Sequence, residues 1–302
     1  MTSPPTSITA VVLHYSGIEL TLDCLGSLQA CGWPSLQICV VDNASADRGG
    51  DAVREAFPGV QVITSDTNLG YAGGNNLGIE AALAGPAEAV LILNNDTLVE
   101  PGAVDALVHA LEPGVGAVAP LLTFADDPDV IWSAGGAFDA RKVRHGRMTG
   151  YREPTSAAGP ARDTERFTGA AVLIRREVLE TVGRFDDDLY FLYEDVDLSL
   201  RIRKAGWHIR FTPDAVVRHR VAMAQGGEHS STSFYYGTRN QLLVADEHAP
   251  AGPITSAARI AGVAIVHAAR ARRAPDRVGA LRATVRGVRD YRAGVTGPRP
   301  VQ

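Results

Sequence analysis

Apolar and polar positions follow two alternating periods over the first 125 residues. Residues 8–13 form a short apolar run ending at His14-Tyr15, the pattern of a strand buried on both faces. Over 18–30, Leu22, Leu25 and Leu28 fall at helical spacing. Further strands are predicted at 36–41, 60–64, 87–93 and 115–121. Helices are predicted at 50–57, 75–83 and 101–111, the last with a proline near its first turn. This alternation implies a mostly parallel sheet covered on both faces. In such sheets ligands bind at the carboxyl ends of strands, so the polar residues that close each run carry the functional expectation.

The pattern then changes. Residues 126–165 are rich in Gly, Asp and Arg, which predicts a β-hairpin and a mobile loop. A strand is expected at 166–174, helices at 175–182 and 194–205, and a strand at 207–211. From 233 onward the chain reads as helical, with a break at Ala249-Pro250-Ala251-Gly252-Pro253. No internal repeat is present.

Composition excludes several classes. With 45% apolar and 21% charged residues among 302, the chain is neither disordered nor collagen-like, and it can bury a core without staples. Cys24, Cys31 and Cys39 lack CxxC spacing and a nearby histidine pair, so they read as small core residues of a reducing compartment. A net charge of −5 argues against a dedicated nucleic-acid binder. No signal-peptide pattern opens the chain, and the longest apolar stretch, around 260–269, is too short to span a bilayer. The expectation is a cytoplasmic protein, soluble or peripheral at the inner face of the cell membrane.

The charge is unevenly spread. Residues 253–302 hold ten arginines and two acids, +8, which leaves −13 on the rest. In the last predicted helix Val278, Leu281, Val285 and Val288 form one stripe, with Arg282, Arg286 and Arg289 beside it. Such a helix suits an anionic membrane surface; a solvated helix docked on the core gives the same composition.

Several motifs carry chemistry. After the second strand, Asp42 can accept from the imide N–H of a uracil or thymine; an Asp there also forms turns. Asn68-Leu69-Gly70-Tyr71-Ala72-Gly73-Gly74-Asn75-Asn76 reads as a glycine-rich loop opening into a helix, where backbone approaches a ligand and a helix N-terminus favours an anion. It is neither a Walker A loop nor a GxGxxG fingerprint. The fourth strand ends in Asn94-Asn95-Asp96-Thr97. Asp96 can supply the carboxylate that Mg²⁺ or Mn²⁺ takes alongside substrate phosphates, and Asn94 can orient the sugar or diphosphate. The alternative is an Asx-turn.

At the start of a predicted helix, Glu194, Asp197, Arg201 and Lys204 share a face, while Asp195 heads the stripe of Leu198, Ile202 and Ala205. A carboxylate above an apolar stripe is costly unless it is used, and it suits a general base; the plainer alternative is an N-cap. His219, between a strand and the loop Gln225-Gly226-Gly227, is a candidate metal ligand or phosphate contact.

Taken in order, these motifs resemble family 2 glycosyltransferases, inverting enzymes of the GT-A fold, and among them the bacterial rhamnosyltransferase-like branch. The matching segments are His14-Tyr15, VVDNAS at 40–45, NLGYAGGNN at 68–76, LNNDT at 93–97, FTGAAVLIRR at 167–176 and GRFDDDLYFLYEDVDLSLRIRKAGW at 183–207. Tyr235-Tyr236 and Arg239-Asn240 look like the family's helix after the catalytic domain. The resemblance implies a GT-A nucleotide-diphospho-sugar transferase fold over 1–245, Rossmann-like, with a basic helical extension over 246–302.

It also implies roles. His14, Tyr15, Asp42, Asn68, Gly70, Gly74, Asn75, Asn94 and Asn95 would bind the donor, a dTDP- or UDP-sugar. Asp96 and His219 would hold Mg²⁺ or Mn²⁺, in a DxD-type motif whose first acidic position is here the amide of Asn94. Asp195 would deprotonate the acceptor hydroxyl, with Gly169, Ala170 and Glu194 on the acceptor side. The acceptor would be a glycan, a polyprenyl-linked glycan or a natural product, and rhamnose the first-choice sugar. One rival reaction, nucleotidyl transfer to a sugar phosphate, needs a basic glycine-rich loop that residues 8–20 lack. The other rival is a non-catalytic nucleotide-sugar-binding module, against which Asp195 and Asp96 argue.

Overall fold

The computed structural model describes residues 5–146, 149–221 and 230–299; the expected loop Gln225-Gly226-Gly227 lies outside them. The strands are β1 (Ile8–His14), β2 (Leu36–Asn43), β3 (Gln61–Ser65), β4 (Ala89–Asn94), β5 (Thr97–Val99), β6 (Val115–Phe124), β7 (Ile131–Ser133), β8 (Phe138–Asp139), β9 (Arg144–His145), β10 (Arg162–Thr164), β11 (Ala171–Arg175) and β12 (His208–His219). Ten of them make one sheet in the order β10-β12-β6-β11-β4-β1-β2-β3, with β5 beside β12 and β7 beside β6. The long strands β1, β2, β4, β6 and β12 all point the same way, as does β3, because their pairings are parallel or relayed through the reversed β11.

The sheet is covered on both faces. On one side lie α1 (Ile18–Ala30), α2 (Gly49–Ala56) and, later, α4 (Ala103–His109); on the other lie α3 (Gly70–Ala84), α5 (Arg176–Val182) and α6 (Glu194–Lys204). Side chains alternate along β1, so Ile8, Ala10 and Val12 enter the first core and Val11 the second. All three cysteines are free thiols; Cys24 and Cys39 are buried in these cores and Cys31 is half-buried.

The structure departs from the pattern in four places. The glycine-rich segment is not a loop, because α3 starts at Gly70 and its small residues let the helix sit directly on the sheet. A Cβ on Gly74 would lie 2.5 Å from Leu13 Cδ1, and one on Gly78 2.3 Å from Val11 Cγ1. Residues 126–165 do hold a hairpin, β8–β9, but they also extend the main sheet through β7 and β10. The last strand runs to His219, past Pro213, because a register shift between Thr212 and Val216 removes the proline from the ladder.

The fourth departure concerns the C-terminal helices α7 (Ser231–His248), α8 (Pro253–Ala271) and α9 (Arg277–Arg292). The expected division at 245 falls within α7. Helix α9 rests on α7 by its small residues Ala280, Ala283 and Gly287, leaving Val278, Leu281 and Val285 outside. No helix among the described residues is long and apolar enough to cross a membrane.

Candidate active site

Strand directions assemble the site at one edge. In register, His14 of β1 stands opposite Asp42 of β2, and Leu13 opposite Asn94 of β4. Because β11 runs backwards between β4 and β6, it begins where its neighbours end. Its approach, Gly169-Ala170, therefore lies beside the polar end of β4, and the Asn94 N–H donates to Ala170 O at 3.0 Å.

On the β2 side, Asp42 is buried, and its two oxygens accept from Ser45 N–H (2.8 Å) and Gly50 N–H (2.9 Å). An ionised carboxylate offers about four acceptor positions, so two remain for a ligand's N–H. Asn68 Oδ1 accepts from Gly70 N–H (2.8 Å) and Asn43 Nδ2 (3.1 Å), while Asn43 also donates to Gly70 O. These bonds hold the start of α3. Asn75 donates to Tyr71 O, and its Oδ1 is buried without a partner.

His14 lies fully inside, between Thr21 Oγ1 (2.7 Å) and Asp47 Oδ1 (2.9 Å). The Asp47 carboxylate accepts from Nε2, and Nδ1 is paired with the Thr21 hydroxyl. Both ring nitrogens are thus occupied within the protein, whereas Tyr15 beside it is exposed. Asn95 Nδ2 joins the same group through Thr21 Oγ1 (2.9 Å) and Ser16 O (3.0 Å).

On the β4 side, Asp96 and His219 meet although 122 residues separate them, because the short β5 pairs with β12 and sets His219 opposite Thr97. Both side chains are buried, and His219 Nε2 lies 3.0 Å from Asp96 Oδ1. The contact is close, yet the angles are not those of a hydrogen bond, and both atoms lack any partner. Two lone-pair atoms at this separation that do not point at each other suit ligands converging on a third point. The donor set, one carboxylate and one imidazole, fits a divalent cation that takes its remaining ligands from a substrate diphosphate. Asn94 Oδ1 is a further buried oxygen without a partner. Trp132 packs edge-on against the His219 ring at 4.4 Å between centroids, a wall that no local pattern announces.

The third component is the start of α6. Asp195 Oδ2 accepts from Gly169 N–H at 3.1 Å and lies 3.5 Å from Arg166 Nη1. Arg166 is itself buried, and its Nε has no partner. Tyr71, from α3, donates to Gly169 O at 2.5 Å. Burial, then the nearby carboxylates of Glu194, Asp195 and Asp96, push its phenol well above the ordinary range, so it remains a donor. Glu194 is buried with Oε2 unpartnered. Burial first, and the adjacent Asp195 second, raise its pKa well above the usual carboxylate range.

The segment before α6 is held in an unusual backbone. Tyr190, Leu192 and Tyr193 have φ of 62°, 67° and 76°, a region costly for residues with a Cβ. Asn240 of α7 holds it from behind, with Nδ2 against the carbonyls of Leu189 (2.7 Å), Phe191 (2.9 Å) and Leu192 (2.7 Å). Arg239 donates to Asp188 O and Leu189 O, and also to Gly297 O beyond α9. The Asp197–Arg201 pair forms as the spacing predicts, but Asp197 is buried under α7, where His248 Nε2 donates to its second oxygen at 2.7 Å. With Arg201 and His248 serving both its oxygens, the nearby Asp197–Glu247–His248 group reads as an ion-pair network.

A Rossmann-like sheet whose carboxyl edge gathers Asp42, Asp96, His219 and Asp195 defines a glycosyltransferase of the GT-A fold. The chain belongs to glycosyltransferase family 2: the sequence model described as "Glycosyltransferase like family 2" matches residues 4–240. It is 29% identical over 252 residues to the N-acetylglucosaminyl-diphospho-decaprenol L-rhamnosyltransferase of Mycobacterium tuberculosis, covering 74% of this chain and 79% of that one. Among solved structures, GalNAc-T7 with UDP, GalNAc and Mn²⁺ superposes with a TM-score of 0.58 at 16% identity, over 80% of this chain and 47% of that one. TarS 1-349 of S. aureus superposes at 0.53 and 13% identity, over 95% and 89%. At these identities the two structures speak for the fold.

Proposed function

We propose that this glycosyltransferase moves a sugar, rhamnose or a similar hexose, from a dTDP- or UDP-sugar to a hydroxyl of a glycan, with inversion at the anomeric carbon. The observation that carries this reading is the linked pair of acids. Asp195 is bonded to Gly169 N–H, and Ala170, the next residue, is bonded to Asn94, two residues before Asp96. The two acids thus share a single edge, which supports a role for Asp195 toward the acceptor and for Asp96 toward the diphosphate.

The acceptor oxygen attacks the anomeric carbon from the face opposite the nucleoside diphosphate. Its proton passes to Asp195 as the new C–O bond forms and the bond to the diphosphate breaks with its electron pair on oxygen. Glu194, whose burial favours the protonated form, is the poorer base of the two and stands beside the acceptor. Arg166 and the Gly169 N–H fix the Asp195 carboxylate. Asp42 receives the base N–H, with Asn68, Gly70, Gly74 and Asn75 holding the backbone beside the donor and His14, Tyr15 and Asn95 supporting that wall. Asp96 and His219 would hold Mg²⁺ or Mn²⁺, which would supply positive charge to the diphosphate. The named M. tuberculosis relative supports rhamnose as the sugar and a polyprenyl-diphosphate-linked glycan as the acceptor class.

Two measurements test the proposal. A panel of nucleotide sugars with Mn²⁺ should yield a donor that raises the thermal unfolding temperature by mass action. With that donor, Asp195→Asn should abolish transfer and leave donor binding within about twofold, since the substitution keeps the shape and removes only the base. Normal turnover by that variant removes Asp195 from its role.

A further inference from the structure

Helices α8 and α9 invert the usual amphipathic rule. A helix on a globular core ordinarily turns its large apolar residues inward. Here α8 meets the body through Val263, His267 and Ala271, and α9 through alanines and Gly287, whose Cβ position lies 2.8 Å from Tyr235 O. Ile260 and Tyr291 pack half-buried beside Val263, and the other large aliphatics mostly point away. Eight large hydrophobic residues are exposed among the described residues, and six of them sit on these two helices: Ile254, Ile265, Val266, Val278, Leu281 and Val285. Ile254 is 88% exposed, and Ile265 and Val285 are each 69% exposed. Scattered exposed aliphatics need no explanation; a concentration on two packed, adjacent helices does.

The charge on this surface is predominantly positive, with Asp276 the exposed acid at the start of α9. Arg277, Arg282, Arg289 and Arg292 are exposed among the α9 aliphatics. The outward positions of α8 carry no charge before Arg270. The two acids of the region are both engaged: Asp276 caps α9 at Gly279 N–H (2.8 Å), and Asp290 is buried against Tyr235 Oη (2.9 Å). Exposed aliphatics interleaved with arginines, on helices that cannot span, match the interface of an anionic bilayer. Apolar tips enter the acyl boundary there, and guanidinium groups stay at the phosphates.

We propose that the outer faces of α8 and α9 dock this enzyme on an anionic phospholipid surface. The −13 of the remaining chain orients the encounter, since a surface that attracts this face repels the body. The proposal does not depend on which sugar or acceptor is used, and its test requires neither.

The test is co-sedimentation of the full chain with vesicles of phosphatidylcholine alone and of an equal mixture with phosphatidylglycerol. Deleting the helices would uncover α7, so point substitutions on their exposed faces are the better probes. The wild type should pellet with the anionic vesicles only, and less at high salt. Arg282→Gln with Arg289→Gln should weaken that binding about tenfold or more, as should Ile265→Ser with Val285→Ser. Both pairs should keep the wild-type unfolding temperature. Wild-type protein remaining in the supernatant with anionic vesicles, or variants binding like wild type, overturns the proposal. So does a lipid-free dimer in analytical ultracentrifugation that the same substitutions dissolve, because the surface would then belong to a second copy.

Discussion

Asn240→Ala tests how far the active site is held from outside the α/β domain. The two amide protons of Asn240 serve three carbonyls, the buried one of Leu189 and the half-buried ones of Phe191 and Leu192, at 2.7–2.9 Å. Truncation removes both donors; Leu189 O keeps Phe191 N–H at 2.7 Å and Arg239 Nη2 at 3.3 Å, so the loss falls on Phe191 O and Leu192 O. A buried acceptor left without its partner costs about 1–3 kcal/mol, which puts the loss at about 2–4 kcal/mol after the surviving bonds are counted. For a chain of 302 residues that corresponds to roughly 3–6 °C in unfolding temperature.

Catalysis should suffer separately. Tyr190, Leu192 and Tyr193 hold positive φ only because the surroundings impose it, and each costs about 1–3 kcal/mol of strain. Once released, the segment no longer presents Asp195, so kcat should fall about tenfold or more while donor affinity stays within about twofold. Asn240→Asp should be worse than Ala, since it turns a carboxylate toward three carbonyl oxygens. Thermal unfolding, transfer kinetics and donor titration on the three proteins decide the matter. An Asn240→Ala enzyme that melts with wild type and turns over normally would refute the argument.

Other expectations follow from the same geometry. Asp96→Ala should remove the metal dependence of nucleotide binding, and an affinity by calorimetry that still responds to Mn²⁺ would count against the Asp96–His219 site. Gly78→Ala should destabilise by about 1–3 kcal/mol in chemical denaturation, because its Cβ would lie 2.3 Å from Val11 Cγ1 in a filled core. An unchanged midpoint would mean that α3 can lift from the sheet at little cost. Glu194 binds its proton more tightly folded than unfolded, so its contribution is full below about pH 4.5 and declines as pH rises toward its elevated folded value. Glu194→Gln should therefore flatten the fall in stability on the alkaline side of about pH 4.5, and a parallel pH profile for the two proteins would show that Glu194 ionises freely.

Much of this site was legible because apolar strands end abruptly in polar residues. Asp42, Asn94 and Asp96 stand where those runs stop, and Asp195 stands above Leu198 and Ile202, which are fully buried as the spacing predicts. The omissions have physical causes. Three residues of β5 carry no period long enough to read, so nothing local announced that His219 would come to Asp96. Pro213 made the last strand look short, though a shift of register accommodates it. Arg166 reads as an ordinary polar residue, and the Arg239-Asn240 pair stands out only by resemblance; the burial of both Arg166 and Asn240 arises from long-range packing. The glycines at 70 and 74 were expected to bring backbone to a ligand, but the space a Cβ would take there is filled by Tyr190 and Leu13. In α9 the apolar stripe was visible, but the face that docks is the one with the smallest side chains, which periodicity does not rank.

The bracing of residues 189–193 also bears on when activity can arise during synthesis. All sheet strands precede residue 220, so the nascent chain can complete its sheet before α7–α9 emerge. The strained segment, however, takes its supports from Arg239, Asn240 and Gly297, and Gly297 N–H donates to Asp188 O at 2.6 Å. A ribosome-held intermediate would thus own a finished scaffold with an unpositioned base. A chain still lacking the region beyond α9 would miss the Gly297 contacts to Arg239 and Asp188 that close this brace.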